Sequence, residues 1–361
     1  MSVVSTRPEL IKMAPVIEEL NKKSIENLFI TTGQHYDFLL FEKMIKDLNM
    51  PEPDYNLTVG SGTPGIQIGI SMLVLERTLE KEKPDIILAE GDTNSVLATA
   101  LAAHKNNYIF GHVEAGLRSF DLTMPEESNR LLTDHISNIL FAPTETSKKN
   151  LLNENIDEKR IFVTGNTIVD AVKENIPIAD EKSDIMSRIN EEEYTLLTLH
   201  RAENTTKEKL LELIRILKKV KQSIIFPIHP RTKKLLKFYG LEKEINRLDN
   251  VQLIEPLGYL DFLVLMKNAS LILTDSGGLQ EEATVLKIPT LVLRQNTERP
   301  EALGKGCELT GINDKLIKKI NNPPEPKECP FGDGKSGKRI VKILEQGVEQ
   351  FNFKPSNMIC G

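Results

Sequence analysis

The feature that most constrains this chain is a regular alternation of short, continuous apolar runs with longer helical stretches. The runs at 2–5, 28–32, 85–89, 108–112 and 161–164, then at 195–199, 223–228, 251–254, 271–274 and 290–293, are rich in Val, Ile and Leu. Runs without polar alternation read as strands buried on both faces, the condition of strands in a parallel sheet. Helical stretches such as 93–104, 207–218 and 280–286 separate them. This order implies an α/β chain of doubly wound parallel sheets with right-handed crossovers. The pattern pauses over 174–184 (ENIPIADEKSD), which is polar, carries a proline and reads as a linker. With 361 residues and roughly 150 residues per domain, two Rossmann-like domains are expected. Their ranges are 1–174 and 185–337, with 175–184 as linker and about five strands each. The tail 338–361 opens as a helix carrying Ile340, Val341, Ile343, Leu344 and Val348, and is expected to pack back towards the first domain.

Composition narrows the function. Lys and Arg number 46 against 52 Asp and Glu, a net charge of −6, which argues against nucleic acid as a partner. Cys307, Cys329 and Cys360 are odd in number and form no C-x-x-C pair, so a disulfide scaffold, an iron–sulfur site and a zinc ribbon are not expected. No apolar run approaches the roughly 18–20 residues that span a bilayer, and the N-terminus lacks a signal-peptide pattern. The expectation is a reduced, cytoplasmic protein with no membrane partner.

Ligands of such folds sit at the C-terminal edges of the strands, here in a cleft between two domains. Ser5-Thr6-Arg7-Pro8-Glu9 places Pro8 at a helix start with Arg7 at its entrance. Glu298-Arg299-Pro300-Glu301 repeats the arrangement in the second half. Each loop alone also reads as a salt-bridged turn; together they offer two cations to an anion. In Asp275-Ser276-Gly277-Gly278 the glycines let a phosphate approach helix N–H groups, and Glu282 lies one turn further on, placed for ribose hydroxyls. The first half presents acids in three loops: Asp92 in Glu90-Gly91-Asp92-Thr93, Glu114 in the stretch 111–118, and Glu126, one turn from Arg130. Neighbouring carboxylates separate one another's pKa values and so can supply an acid and a base. His35, His112, His200 and His229 fall at strand exits and suit catalysis or phosphate contact, whereas His104 and His135 lie in helical stretches and read as structural. No histidine spacing favours a metal site. Gly60-Ser61-Gly62-Thr63-Pro64-Gly65 matches G-x-G-x-x-G literally but follows a short run in the third unit, so no nicotinamide cofactor is expected.

These loops resemble the non-hydrolysing UDP-N-acetylglucosamine 2-epimerases over nearly the whole chain. STRPELIKMAPVI, TTGQHYD, EGDTNSVLA, HVEAGLRS, PEESNRLLTDH, APTETSKKNL, VTGNTIVDA, TLHRAEN, DSGGLQEEA and RQNTERPEAL carry the resemblance. It implies a GT-B fold closing over a nucleotide sugar, usually as a homodimer without cofactor. It further implies Asp92, Glu114, Glu126 and His200 as catalytic groups. Arg7, Lys12, Arg130, Ser276, Gly277, Gly278, Glu282 and Arg299 become UDP-binding or cleft residues, to which His229 is added from its place at a strand exit. The reaction implied is reversible conversion of UDP-N-acetylglucosamine to UDP-N-acetylmannosamine, by elimination and re-addition of UDP through 2-acetamidoglucal. Ser5 stands where the family has Gly, and the first strand starts abruptly, so a trimmed N-terminus is expected. Bacterial members bind a second substrate molecule as activator. Gln34, His35 and Gln67 match its contacts, but Ile66 replaces the usual Arg. An epimerase for a diacetamido uronic acid sugar, a GT-B glycosyltransferase, a hydrolysing epimerase and a nucleotide-sugar sensor are the competing readings.

Overall fold

A computed structural model describes residues 1–33, 38–60, 62–189 and 191–350. Contacts divide the chain into two compact units, Met1–Ala171 with Phe331–Gly361, and Val172–Pro330. In the first, strands β1 (Ser2–Val4), β2 (Phe29–Thr31), β3 (Tyr55–Asn56), β4 (Ile86–Glu90), β5 (Ile109–Val113), β6 (Ile139–Ala142) and β7 (Ile161–Val163) pair in parallel in the order 3-2-1-4-5-6-7. In the second, β8 (Thr195–Thr198), β9 (Ile224–Pro227), β10 (Val251–Ile254), β11 (Leu271–Thr274), β12 (Thr290–Val292) and β13 (Cys307–Leu309) pair in parallel in the order 10-9-8-11-12-13. Both are doubly wound sheets, so the two-domain Rossmann-like reading holds.

All ten expected strands are present, and the expectation of about five per domain is corrected to seven and six among the described residues. The additions have separate causes. β3 and β13 are edge strands of two and three residues with a polar member each. β6, Ile-Leu-Phe-Ala, is a continuous apolar run buried at every position, and its signal was as good as that of its neighbours.

Burial on both faces explains the apolar runs. Val3, Ile87, Ala89 and Phe110 pack with Leu75, Leu79, Val96 and Ala100 from two covering helices. Leu197, Phe226, Leu273 and Leu291 pack with Leu210, Leu213, Leu217 and Leu236. Each such large side chain contributes about 1.5–3 kcal/mol by leaving water. The expected linker 175–184 is helical as far as Lys182, within Thr167–Lys182. Its Ala, Glu and Lys residues are strong helix formers, and they outweigh the single amide lost at Pro177. The last described helix, Ser336–Gln350, packs against the helix Arg7–Lys22 in the first unit. Gly337 sits against the Pro15 carbonyl, and its amide donates to Asp170 at 2.9 Å.

Strand order reverses between β1 and β4, and again between β8 and β11. In an open parallel sheet the two loops leaving such a pair diverge to opposite faces and leave a crevice at the strand ends. The loops after β1, β4, β8 and β11 carry Arg7, Asp92, His200 and the Ser276–Gly278 stretch, whereas Glu114 follows β5 and Arg299 lies beyond β12.

Candidate active site

In the first unit, the helix Arg7–Lys22 begins with Arg7 and Pro8, capped reciprocally by Thr6 and Glu9. The Glu9 carboxylate accepts from the amides of Ser5 at 2.5 Å and Thr6 at 3.0 Å. Glu9 was passed over in the sequence, although T-x-x-E is a capping-box pattern. Burial raises its pKa to about 7, against the lowering effect of hydrogen bonds from Thr93, Thr6 and Ser5, with the Asp92 charge adding to the rise. An unfolded Glu titrates near 4.5, so the native state holds the extra proton between the two values. Stability from this group is therefore full below about 4.5 and is lost as the pH rises through about 7, a difference of about 3 kcal/mol. Glu9→Gln is expected to match the parent in urea unfolding near pH 4.5 and to exceed it progressively up to pH 8. Equal unfolding free energies for variant and parent at pH 8 would refute this.

Lys12, expected as a UDP-binding or cleft residue, is 6% exposed. Its ammonium lies 3.1 Å from Glu90 and bonds Glu114 closely. The Asn166 amide also donates to Glu114, at 2.9 Å. Glu114 has a left-handed backbone, φ +68°, a conformation costing a non-glycine residue about 1–2 kcal/mol. Such strain persists where surrounding contacts over-determine it, and the Lys12 and Asn166 bonds do so here. Burial pushes the Glu90 carboxyl well above its usual range, with Lys12 opposing and Glu114 and Glu9 reinforcing.

Asp92 follows Gly91, whose φ of +92° lies where L side chains are strained. The Asp92 side chain is 31% exposed and pairs with Arg130, which is 2% exposed. Arg130 is braced on Glu127 by bonds of 2.9 and 2.7 Å. Its helical partner is therefore Glu127 rather than Glu126, which stands exposed at the second position of the helix Pro125–Ile136. The Asp92 carbonyl accepts from Asn129 at 2.9 Å; the same amide reaches Asn94 at 3.1 Å, and Asn94 donates to Gln67 at 3.0 Å. Gln67 thus contacts the chain behind Asp92, while Gln34 and His35 lie outside the described residues. His112, read as a strand exit, lies inside β5 and is buried. It contacts the polypeptide rather than solvent. Arg7 is half-buried at the helix start.

In the second unit, buried Asp275 braces the loop after β8. It accepts from the His200 amide at 3.1 Å, the Arg201 amide at 2.9 Å and the Asn204 side chain at 3.3 Å. Its carboxylate also lies 3.1 Å from His200 Nδ1, leaving the ring 39% exposed. Although burial alone would raise the Asp275 pKa, His200 and these amides draw it below the usual range. The exposed His229 ring lies 5.5 Å from the His200 ring; its Nδ1 accepts the Arg231 amide at 3.2 Å.

Ser276 stands at the N-cap position of the helix Gly277–Leu286 without a side-chain capping bond. A side chain at Gly277 would lie 2.3 Å from the Glu298 carboxylate and 2.7 Å from the Arg299 guanidinium and would have to displace them, whereas Gly278 faces open space. Open space beside amides at a helix start suits an anion. Arg299, expected to clamp that anion, is 6% exposed and bonded to Glu281 at 2.8 Å and Glu298 at 2.5 Å. Pro300 opens a one-turn segment, Pro300–Ala302. Arg299 and Arg294 hold Glu298 well below the carboxylate range despite its burial. Glu282 lies buried beside Tyr259, whose hydroxyl is pushed well upward, first by burial and then by the Glu282 charge. Among the described residues, no three His, Cys, Asp or Glu side chains gather as a metal site requires, and no helix is long and apolar enough to cross a membrane.

The family description UDP-N-acetylglucosamine 2-epimerase matches residues 18–345. A UDP-N-acetylglucosamine 2-epimerase of Methanocaldococcus jannaschii is 50% identical over 359 residues, covering 96% of this chain and 98% of that one. The crystal structure of the M. jannaschii UDP-GlcNAc 2-epimerase in complex with UDP-GlcNAc and UDP matches with a TM-score of 0.89 at 50% identity, over 96% of this chain and 99% of that one. A UDP-2,3-diacetamido-2,3-dideoxy-D-glucuronate 2-epimerase of Pseudomonas aeruginosa is 36% identical over 357 residues, covering 95% of this chain and 98% of that one.

Proposed function

The chain belongs to the UDP-N-acetylglucosamine 2-epimerase family, and on that premise we propose that it interconverts UDP-N-acetylglucosamine and UDP-N-acetylmannosamine. The C2 hydrogen of the sugar is not next to a carbonyl and is only weakly acidic. Elimination makes its removal feasible. A base takes the C2 proton, the C1–oxygen bond breaks, and UDP leaves as a double bond forms between C1 and C2. The intermediate is 2-acetamidoglucal. UDP then re-adds at C1 while a proton is delivered to the opposite face of C2.

The reaction requires a base, an acid and stabilisation of the departing diphosphate. Asp92 is the base. The observation that carries this is its half-exposed carboxylate at the crevice of β1 and β4, where Glu9, Glu90 and Glu114 are buried. Glu114 and Glu126 are the further acids; Arg130 and Arg7 are cations of the same unit. The second unit holds UDP, with His200 and the Ser276–Gly277–Gly278 amides on the diphosphate and Glu282 on the ribose. His229 extends the diphosphate contacts. The assembly is a homodimer. Ile66, Ile70 and Leu73, spaced along one face of the helix Pro64–Glu82 and 41–54% exposed, support that reading.

The test is incubation with UDP-N-acetylglucosamine alone in deuterated water, followed by proton NMR of the anomeric region. Two UDP sugars in equilibrium, both deuterated at C2, are expected. A second sugar without deuterium at C2 would exclude elimination. Free N-acetylmannosamine with UDP would mark a hydrolysing enzyme. The P. aeruginosa relative favours one alternative, a diacetamido uronic acid substrate, which would turn over while UDP-N-acetylglucosamine does not.

A further inference from the structure

The loop that presents Asp92 is held by a closed circuit of buried polar contacts, and His112 joins its two halves. His112 Nε2 lies 2.8 Å from the Gly91 carbonyl, and Nδ1 lies 2.6 Å from Asp134 Oδ1. Asp134 Oδ2 accepts from the Gly116 amide at 3.1 Å and pairs with Arg118 at 2.7 Å. Arg118 in turn is anchored on Glu154 by two bonds of 2.7 Å. In the other direction, Gly91 leads into Asp92, which pairs with Arg130. Arg130 is braced on Glu127, and Glu127 accepts from the amides of Ser119 at 3.0 Å and Phe120 at 2.8 Å. Ser119 is the residue after Arg118, so the path returns to its starting point.

His112, Asp134, Arg118, Arg130 and Glu127 are all buried. A backbone carbonyl can only accept, so Nε2 must donate to Gly91. Asp134 already takes donors on its other oxygen, so Nδ1 also faces an acceptor. The imidazole reaches both partners from opposed ring nitrogens, which no other side chain of that size can do. Direct contact with substrate is excluded for a buried ring with both nitrogens occupied. Its effect passes through the Gly91 carbonyl, one peptide from the carboxylate that must meet C2–H.

We propose that His112 is a positioning residue for the epimerase reaction, fixing the Gly91–Asp92 peptide, and with it the Asp92 carboxylate, against Asp134 and Arg118. The proposal rests on the assignment of Asp92 as base. A positioning error of about 1 Å can cost on the order of 100-fold in rate. The ring contributes this by hydrogen bonding, so an apolar ring of equal size cannot replace it.

Two variants test this. His112→Phe keeps the ring's volume beside Phe110, whose ring centroid is 6.4 Å away, but removes both ring nitrogens. His112→Gln retains an amide that can donate to one acceptor. The expected order of kcat is parent, then Gln, then Phe, with Phe at least 30-fold below the parent and KM and UDP affinity within threefold. Amide hydrogen exchange over residues 90–94 should accelerate at least tenfold in the Phe variant and remain unchanged in Val172–Pro330. Turnover of His112→Phe within threefold of the parent would overturn the proposal. So would a loss of kcat matched by an equal rise in KM, or unchanged exchange over 90–94. If the Phe variant does not fold, the Gln variant decides: a fivefold or larger drop in kcat at constant KM supports positioning, and parental kcat refutes it. Exchange is read without substrate, so a parent inactive on UDP-N-acetylglucosamine would defeat the epimerase reading and leave the structural part of the proposal separately measurable.

Discussion

Replacing Asp92 with Asn is expected to lower turnover of UDP-N-acetylglucosamine by about two to four powers of ten, the range for loss of a positioned general base. The amide has nearly the same shape as the carboxylate but cannot accept a proton from C2. The surroundings are built to survive the change. Arg130 keeps its two bonds to Glu127, and the Asp92 backbone keeps its bond from Asn129. The lost ion pair involves a half-exposed carboxylate, so the variant should give up only about 0–1 kcal/mol of stability. The groups proposed to hold UDP lie in the other unit, so inhibition by UDP should be unchanged. Falls in kcat and kcat/KM by the same factor would show that the lost interaction belongs to the transition state. Deuterium entry at C2 should fall by that factor as well. Asp92→Asn with parental turnover would remove Asp92 from the proposed role and leave Glu114 and Glu126 as the remaining acids.

What could be read from the sequence was whatever depends on local pattern. Continuous apolar runs marked ten strands because burial on both faces leaves no polar alternation. Strand-exit loops pointed to Asp92, His200 and Gly278, and all three do follow the ends of parallel strands, β4, β8 and β11. What could not be read was which buried charges face each other. Lys12 meets Glu114 across 102 positions of sequence, a pairing set by the order of β1, β4 and β5 rather than by any spacing. Arg299 looked like a free cation because its partners Glu281 and Glu298 appear in a linear reading as ordinary acids. His112 looked like a catalytic histidine because a strand's end and its last turn inside the sheet differ by one residue. Glu9 and β6 were legible and overlooked, the first as a capping box and the second as four apolar residues in a row.

The buried triad of Lys12, Glu90 and Glu114 makes the largest prediction for stability. Lys12→Met removes the ammonium that both carboxyls face while keeping most of the side chain's length and apolar bulk. Removing one partner from a buried ion pair leaves an uncompensated charge and costs about 3–5 kcal/mol, and urea unfolding at pH 8 should show a loss of that size. The loss should shrink towards pH 5, because burial favours the protonated form of Glu90, and a neutral Glu90 draws less on Lys12. Glu90→Gln introduced into the Lys12→Met background should recover part of the loss, since one carboxyl then has no charge to compensate. Glu90→Gln alone should cost little, because Lys12 still has Glu114. This coupling gives the prediction its content. If the double variant is as unstable as the sum of the two single ones, Lys12 and Glu90 act independently, and the 3.1 Å contact between them carries no energy. If the double variant is the more stable, Lys12 serves as the counter-charge that allows a left-handed, buried Glu114 to be held beside a second acid.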